Sequence, residues 1–137
     1  MTIGRRKALT ILAAASAAAS PARAQSWPAK PLTIVVPYAA GSATDTLARL
    51  MAEQLAPRLG QPVIVDNKGG GNGSIAANYV AKSAPDGYTL MIATAATHAG
   101  NPNLMKSVPY DSLVDFAPAG FYGFIQFVLL VRADAGM

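Results

Sequence analysis

Residues 27–49, WPAKPLTIVVPYAAGSATDTLAR, read as a buried strand, a sharp loop and the capped start of an amphipathic helix. Leu32-Thr33-Ile34-Val35-Val36 is a short apolar, β-branched run closed by Pro37, the pattern of a strand covered on both faces. Beyond Gly41 and Ser42, apolar residues recur at Leu47, Leu50, Met51 and Leu55, which is helical spacing. Ser42-Ala43-Thr44-Asp45 fits a capping arrangement, with Ser42 at the N-cap and Asp45 near N3. A loop between a strand's carboxyl end and a helix N-terminus points free N–H groups and a positive dipole end into one crevice. Open α/β sheets bind anionic ligands there. An aspartate in such a loop repels an anion unless its carboxylate turns onto backbone N–H groups.

The same alternation continues along the chain. The first helix, about Ala43 to Leu59, ends at Gly60, and Pro62-Val63-Ile64-Val65-Asp66 is a second strand. Asn67 to Gly73, NKGGGNG, is a glycine-rich loop. Ser74-Ile75 opens a second helix whose apolar face is expected at Ile75, Ala76, Tyr79 and Val80. Pro85-Asp86-Gly87 signals a turn before a third strand, Tyr88 to Ala93. Thr94 to Pro102 is a loop rich in Thr, Ala, His and Asn, and Asn103 to Lys106 is expected to form one helical turn. Tyr110 to Pro118 reads as irregular, and Phe121 to Arg132 as extended, its apolar part Phe121–Val131 a buried-strand candidate. Strand–helix–strand–helix–strand with short connections predicts an α/β fold with a mainly parallel sheet. No helix follows the final strand, and the pattern is that of a truncated two-domain protein.

The first residues speak to compartment. Arg5-Arg6-Lys7 form a positive n-region, Ala8 to Ala19 an uncharged core, and Ala22-Arg23-Ala24 an A-x-A cleavage site before Gln25. Twelve uncharged residues are too few to span a bilayer, so residues 1–24 are expected to be a secretory signal peptide. Arg5-Arg6 permits twin-arginine export as well as the Sec route. The leader holds Arg5, Arg6, Lys7 and Arg23 and no acid, so it accounts for the whole formal charge of +4. The remaining 113 of 137 residues carry seven basic and seven acidic side chains, scattered singly. A neutral chain without a clustered basic face gives no support to nucleic-acid binding. The absence of cysteine removes disulfides, thiolate nucleophiles and Cys-based metal sites. The eleven residues Phe121–Val131, interrupted by Gly123 and Gln126, are too short for a membrane span.

Two features invite sharper chemistry and yield little. GGGNGS, residues 69–74, lacks the Lys-Ser or Lys-Thr of a P-loop, and no acid lies near Thr94, where a dinucleotide fold would place one. A backbone-permissive loop rimming a cleft is the better reading. His98, the only histidine, stands in no Ser-His-Asp order and no metal-ligand spacing. Asp45, Asp66 and Asp86 occupy a helix start, a strand end and a turn, each with a structural reason for Asp.

Three blocks of sequence carry a resemblance: WPAKPLTIVVPYAAGSATDTLAR, LGQPVIVDNKGGGNGSIAANYVAKSAPDGYTL and NPNLMKSVPYDSLVDFAP. In that order they closely resemble the tripartite tricarboxylate transporter substrate-binding receptors, the Bug or TctC-like extracytoplasmic solute receptors, from Trp27 to at least Arg132. The resemblance implies a periplasmic-binding-protein-like (type II) fold of two lobes closing on a small carboxylate. Residues 25–123 would supply most of the first lobe, and 124–137 a crossing strand toward an absent second lobe. The family's ligand loops fall on Tyr38, Ala39, Ala40, Gly41, Ser42 and Asp45, and on Thr94, Ala95, Thr97 and His98. Where the family usually shows Gly-Gly before x-x-Asp, this chain has Gly41-Ser42. The resemblance further implies a periplasmic, non-enzymatic, metal-free and cofactor-free receptor, not embedded in the membrane, that serves transporter membrane subunits. A periplasmic α/β enzyme with His98 as base and a non-functional gene fragment are the alternatives. A chain ending at its crossing segment is also expected to self-associate through Phe121, Phe124, Phe127 and Leu129.

Overall fold

The computed structural model describes residues 27–124 and 130–134. The expected signal peptide and residues 125–129 and 135–137 of the expected crossing strand therefore lie outside the described residues. Three strands form one parallel sheet in the order β2-β1-β3: β1 Leu32–Val36, β2 Val63–Asn67 and β3 Thr89–Met91. Ile34 pairs with Val65 on one side and with Leu90 on the other, so β1 is central. Its burial is nearly complete from end to end, as its apolar run required.

Helix α1, Ala43–Leu59, joins β1 to β2, and α2, Ser74–Ala81, carries the chain from β2 past β1 to β3. These two connections run in opposite directions across the sheet, which with right-handed crossovers puts the helices on opposite faces. Ile34, Val36 and Ile92 pack against Ala48 and Ala52 of α1, with Met51, Val63, Val65 and Leu90 around them. Val35 points to the other face and is equally buried; α2 packs there on β1 and β3. Gly60 ends α1 in the left-handed conformation (φ 66°), the expected stop.

The helices are where expected, but their buried faces differ from the reading. In α1 the buried line is Thr44, Asp45, Ala48 and Ala52, while Leu47 and Leu50 are exposed. In α2 it is Ser74, Ala76 and Ala77, with Ile75 and Tyr79 54% and 46% exposed. Small residues on these lines let each helix axis approach the sheet closely, and the larger side chains are displaced to the flank. The expected turn at Asn103–Lys106 lies slightly earlier. A wide π-helical turn, Ala96–Gly100, runs directly into α3, Asn101–Leu104, with Pro102 in its first turn. The described ends of the expected final strand are irregular, and Phe121, Phe124, Leu130 and Val131 are all exposed. No strand includes these described ends, and the middle of the expected strand, residues 125–129, lies outside the described residues.

Candidate functional site

Parallel strands send their following loops out of the same end of the sheet. The loops after β1 and β3 therefore emerge side by side at the carboxyl end, at the point where the strand order 2-1-3 reverses direction. That is the ligand crevice of open α/β sheets.

The loop after β1 is built by its own aspartate. Ser42 occupies the N-cap of α1 with extended backbone (φ −68°, ψ 159°), and its Oγ accepts the Asp45 N–H at 3.2 Å. The left-handed residue is Gly41 at φ +83°, so the glycine requirement rests there. A serine in place of the resemblance's second glycine needs no unusual backbone. Asp45 is 3% exposed, and both oxygens of its carboxylate are hydrogen-bonded. Oδ2 accepts from the Gly41 N–H at 2.8 Å and from Arg49 Nε at 3.1 Å; Oδ1 accepts from Asn67 Nδ2 at 2.9 Å. These bonds, Arg49's foremost, hold its pKa down to about 2. The charge that could repel an anion is thus turned away onto donors of the protein. Asn67, the last residue of β2, also donates to the Tyr38 carbonyl at 3.1 Å and ties the loop to the sheet edge.

The loop after β3 folds on itself. Thr97 is fully buried; its Oγ accepts the Thr94 N–H at 3.0 Å, lies 3.0 Å from the Thr94 carbonyl and 2.9 Å from His98 Nδ1. The hydroxyl–imidazole contact was not anticipated from sequence, and its hydroxyl is inaccessible to a substrate. His98 packs edge-on against Phe116, centroids 4.6 Å apart, and burial lowers its pKa, so it is neutral at neutral pH. The two loops meet where the Tyr38 and Thr94 hydroxyls approach to 3.0 Å.

Of the expected site residues, Tyr38, Ala39, Ala40, Gly41 and Ser42 line the first loop, with Ala39, Ala40 and Gly41 exposed. Thr94, partly buried, and Ala95, exposed, border the crevice from the second loop. Asp45 and Thr97 lie beneath, shaping the loops rather than facing the opening. Sequence reading missed Arg49, which pairs with the Asp45 charge, Asn67, which donates to its carboxylate, and Asn72, Asn101 and Tyr110, which brace the second loop. Arg49 stands four residues after Asp45, a spacing that could have signalled the pair; the others join residues far apart in sequence. A separate open groove of about 650 Å³ runs along α2, lined by Lys68, Ile75, Asn78, Tyr79, Lys82 and Ser83. It takes no residue from either crevice loop. Among the described residues no cluster of His, Asp and Glu could hold a metal ion, and no helix is long and apolar enough to cross a membrane.

The sequence matches the family described as tripartite tricarboxylate transporter family receptor, TctC, over residues 47–137. Protein BugT of Bordetella pertussis is 40% identical over 123 residues, which cover 89% of this chain and 38% of that protein. Among solved structures, MatC of Rhodopseudomonas palustris with bound malate aligns with a TM-score of 0.64 at 41% identity, covering 67% of this chain and 31% of that one. Rpa4515 of R. palustris, with adipate, aligns with a TM-score of 0.62 at 45% identity, covering 64% and 29%. The chain thus spans about two fifths of the length of BugT and less than a third of each solved neighbour. The described α/β unit is the corresponding part of a periplasmic binding protein, as the resemblance implied. On a match running through two thirds of its length, this chain belongs to the tripartite tricarboxylate transporter receptor family, whose members are solute-binding receptors.

Proposed function

We propose that this chain forms the first-lobe half of the ligand site of a periplasmic receptor for a small carboxylate, and that it acts by binding and not by catalysis. The observation that carries the reading is the engagement of Asp45 by Gly41, Asn67 and Arg49. With that charge neutralised, the crevice offers an anion the hydroxyls of Tyr38, Ser42 and Thr94. The N–H groups of Ala43 and Thr44 add to them, having no partner within the helix they begin. Each charge-assisted bond of this kind is worth roughly 1.5–3 kcal/mol. Relatives carrying adipate and malate support a carboxylate as ligand.

Residues 1–24 would direct export, 25–123 would form the lobe, and 124–137 would lead toward a second lobe that closes over the acid. Closure would create the surface read by transporter membrane subunits. An NMR titration of the full chain with malate and with adipate tests the ligand assignment. Amide shifts confined to residues 38–45 and 94–98 are expected. Absence of shifts with either acid, or shifts clustered elsewhere, would overturn it.

A further inference from the structure

Asn101 is an amide only 1% exposed, distant in sequence from the loop after β1 and absent from every expected site. Both polar atoms of its side chain bond to two other segments. Its Oδ1 accepts from Asn72 Nδ2 at 2.7 Å; its Nδ2 donates to the Asn72 carbonyl at 3.0 Å and reaches the Tyr110 hydroxyl at 3.4 Å. Tyr110 in turn donates to the Thr97 carbonyl at 2.6 Å. Beyond Thr97 the path continues through its hydroxyl to the Thr94 N–H, and from the Thr94 hydroxyl to Tyr38. A continuous line of hydrogen bonds therefore joins the glycine-rich loop after β2 to both crevice loops.

The glycine-rich loop is shaped for this line. Asn72 sits at φ 52°, a left-handed conformation that Asn tolerates better than most residues, and this aims its amide at Asn101. Next to it, a Cβ on Gly73 would lie 2.6 Å from Thr97 Cγ2 and 3.0 Å from Pro37 Cβ. The loop is thus pressed against the base of the Thr94–Thr97 turn.

We infer that Asn101, with Asn72 and Tyr110, is a positioning residue for ligand binding: it fixes the Thr94–Thr97 turn against the glycine-rich loop without touching the ligand. The inference rests on the receptor reading for its effect on affinity. Donors held in place before the ligand arrives bind without an ordering cost, and a buried polar network does this only when all of its members are satisfied.

Two mild variants of the full chain test this. Tyr110→Phe removes one hydroxyl and keeps the ring against Phe116; Asn72→Gly removes the amide and keeps the left-handed backbone accessible. Each is expected to weaken malate or adipate binding about three- to tenfold at temperatures where the protein stays folded, and the double variant to lose less than the product. Amide hydrogen exchange at Thr94 should quicken in all three, while exchange in α1 is unchanged. Unchanged affinity, or exchange accelerated equally throughout the fold, would reduce the network to a general stabiliser and overturn the inference. If the parent chain binds neither acid, the receptor reading fails. The exchange pattern then decides the positioning role alone: selective loss at Thr94 upholds it, uniform loss ends it.

Discussion

Gly41 donates its N–H to the carboxylate of Asp45 at 2.8 Å, folding the loop after β1 back onto the first turn of its own helix. The contact lets an acidic residue reside in a crevice suited to anions. It also makes the loop's shape depend on the protonation of one group.

Acid should release that loop. Asp45 has its pKa lowered to about 2 in the folded state, so the unfolded chain binds the proton more readily. Its contribution to stability is complete above the ordinary carboxylate value of 3.8 and is lost as pH falls through about 2. Urea melts of the parent chain and Asp45→Asn across that range should converge at the acid end. A constant difference between them would show that the charge is not what holds the loop.

In a two-lobed form of the receptor, Ser42→Asp should abolish carboxylate binding, because it sets a second anion beside the ligand in a water-poor cleft, a loss of several kcal/mol in order of magnitude. Ser42→Gly should retain binding and lose only a few tenths of a kcal/mol of helix stability with the cap. Titration of both variants with malate and adipate checks this, and unaltered affinity in the Asp variant would locate the ligand elsewhere.

Gly73→Ala should destabilise the fold by about 1–3 kcal/mol, since the added methyl strikes Thr97 and Pro37 from a left-handed backbone. Gly120→Ala, whose Cβ meets nothing within 4 Å, serves as the control. Equal melting temperatures for the two variants would mean the glycine-rich loop is not pressed against the turn.

Export should leave a mature protein beginning at Gln25 in the periplasm. Amino-terminal sequencing of fractionated cells reads this directly. Material retaining Met1 in the cytoplasm would remove the localisation and weaken the receptor reading with it.

The Phe121 and Phe124 rings meet at a tilt of 59°, centroids 4.9 Å apart, while both stay exposed. The chain from Gln25 is expected to self-associate through them. Size-exclusion chromatography should show smaller species for Phe121→Ser/Phe124→Ser than for the parent; identical elution would direct attention to other apolar residues.

Much of this protein follows from local sequence. The β-branched run of β1, the Ser42 cap, the Gly60 stop and the alternation of periods depend on residues close together in the chain. So does the family resemblance, carried by contiguous blocks. These features fix the elements, their order and the end of the sheet where a ligand would sit.

Tertiary structure decided which faces and which polar groups do the work. Ala76 is buried as its spacing predicted, but Ala48, Ala52 and Ala77 are buried in preference to Leu47, Leu50, Ile75 and Tyr79, because contact with the sheet rewards a close approach that periodicity alone does not reveal. Asp45 finds Asn67 twenty-two residues away, and Asn72 finds Asn101 twenty-nine away. Such partners are chosen by the path of the backbone through three strands, and a buried hydrogen bond leaves no signature in the spacing of the residues that make it. Thr97, expected to face a ligand, lies instead inside the turn, since its hydroxyl is required by the backbone of Thr94.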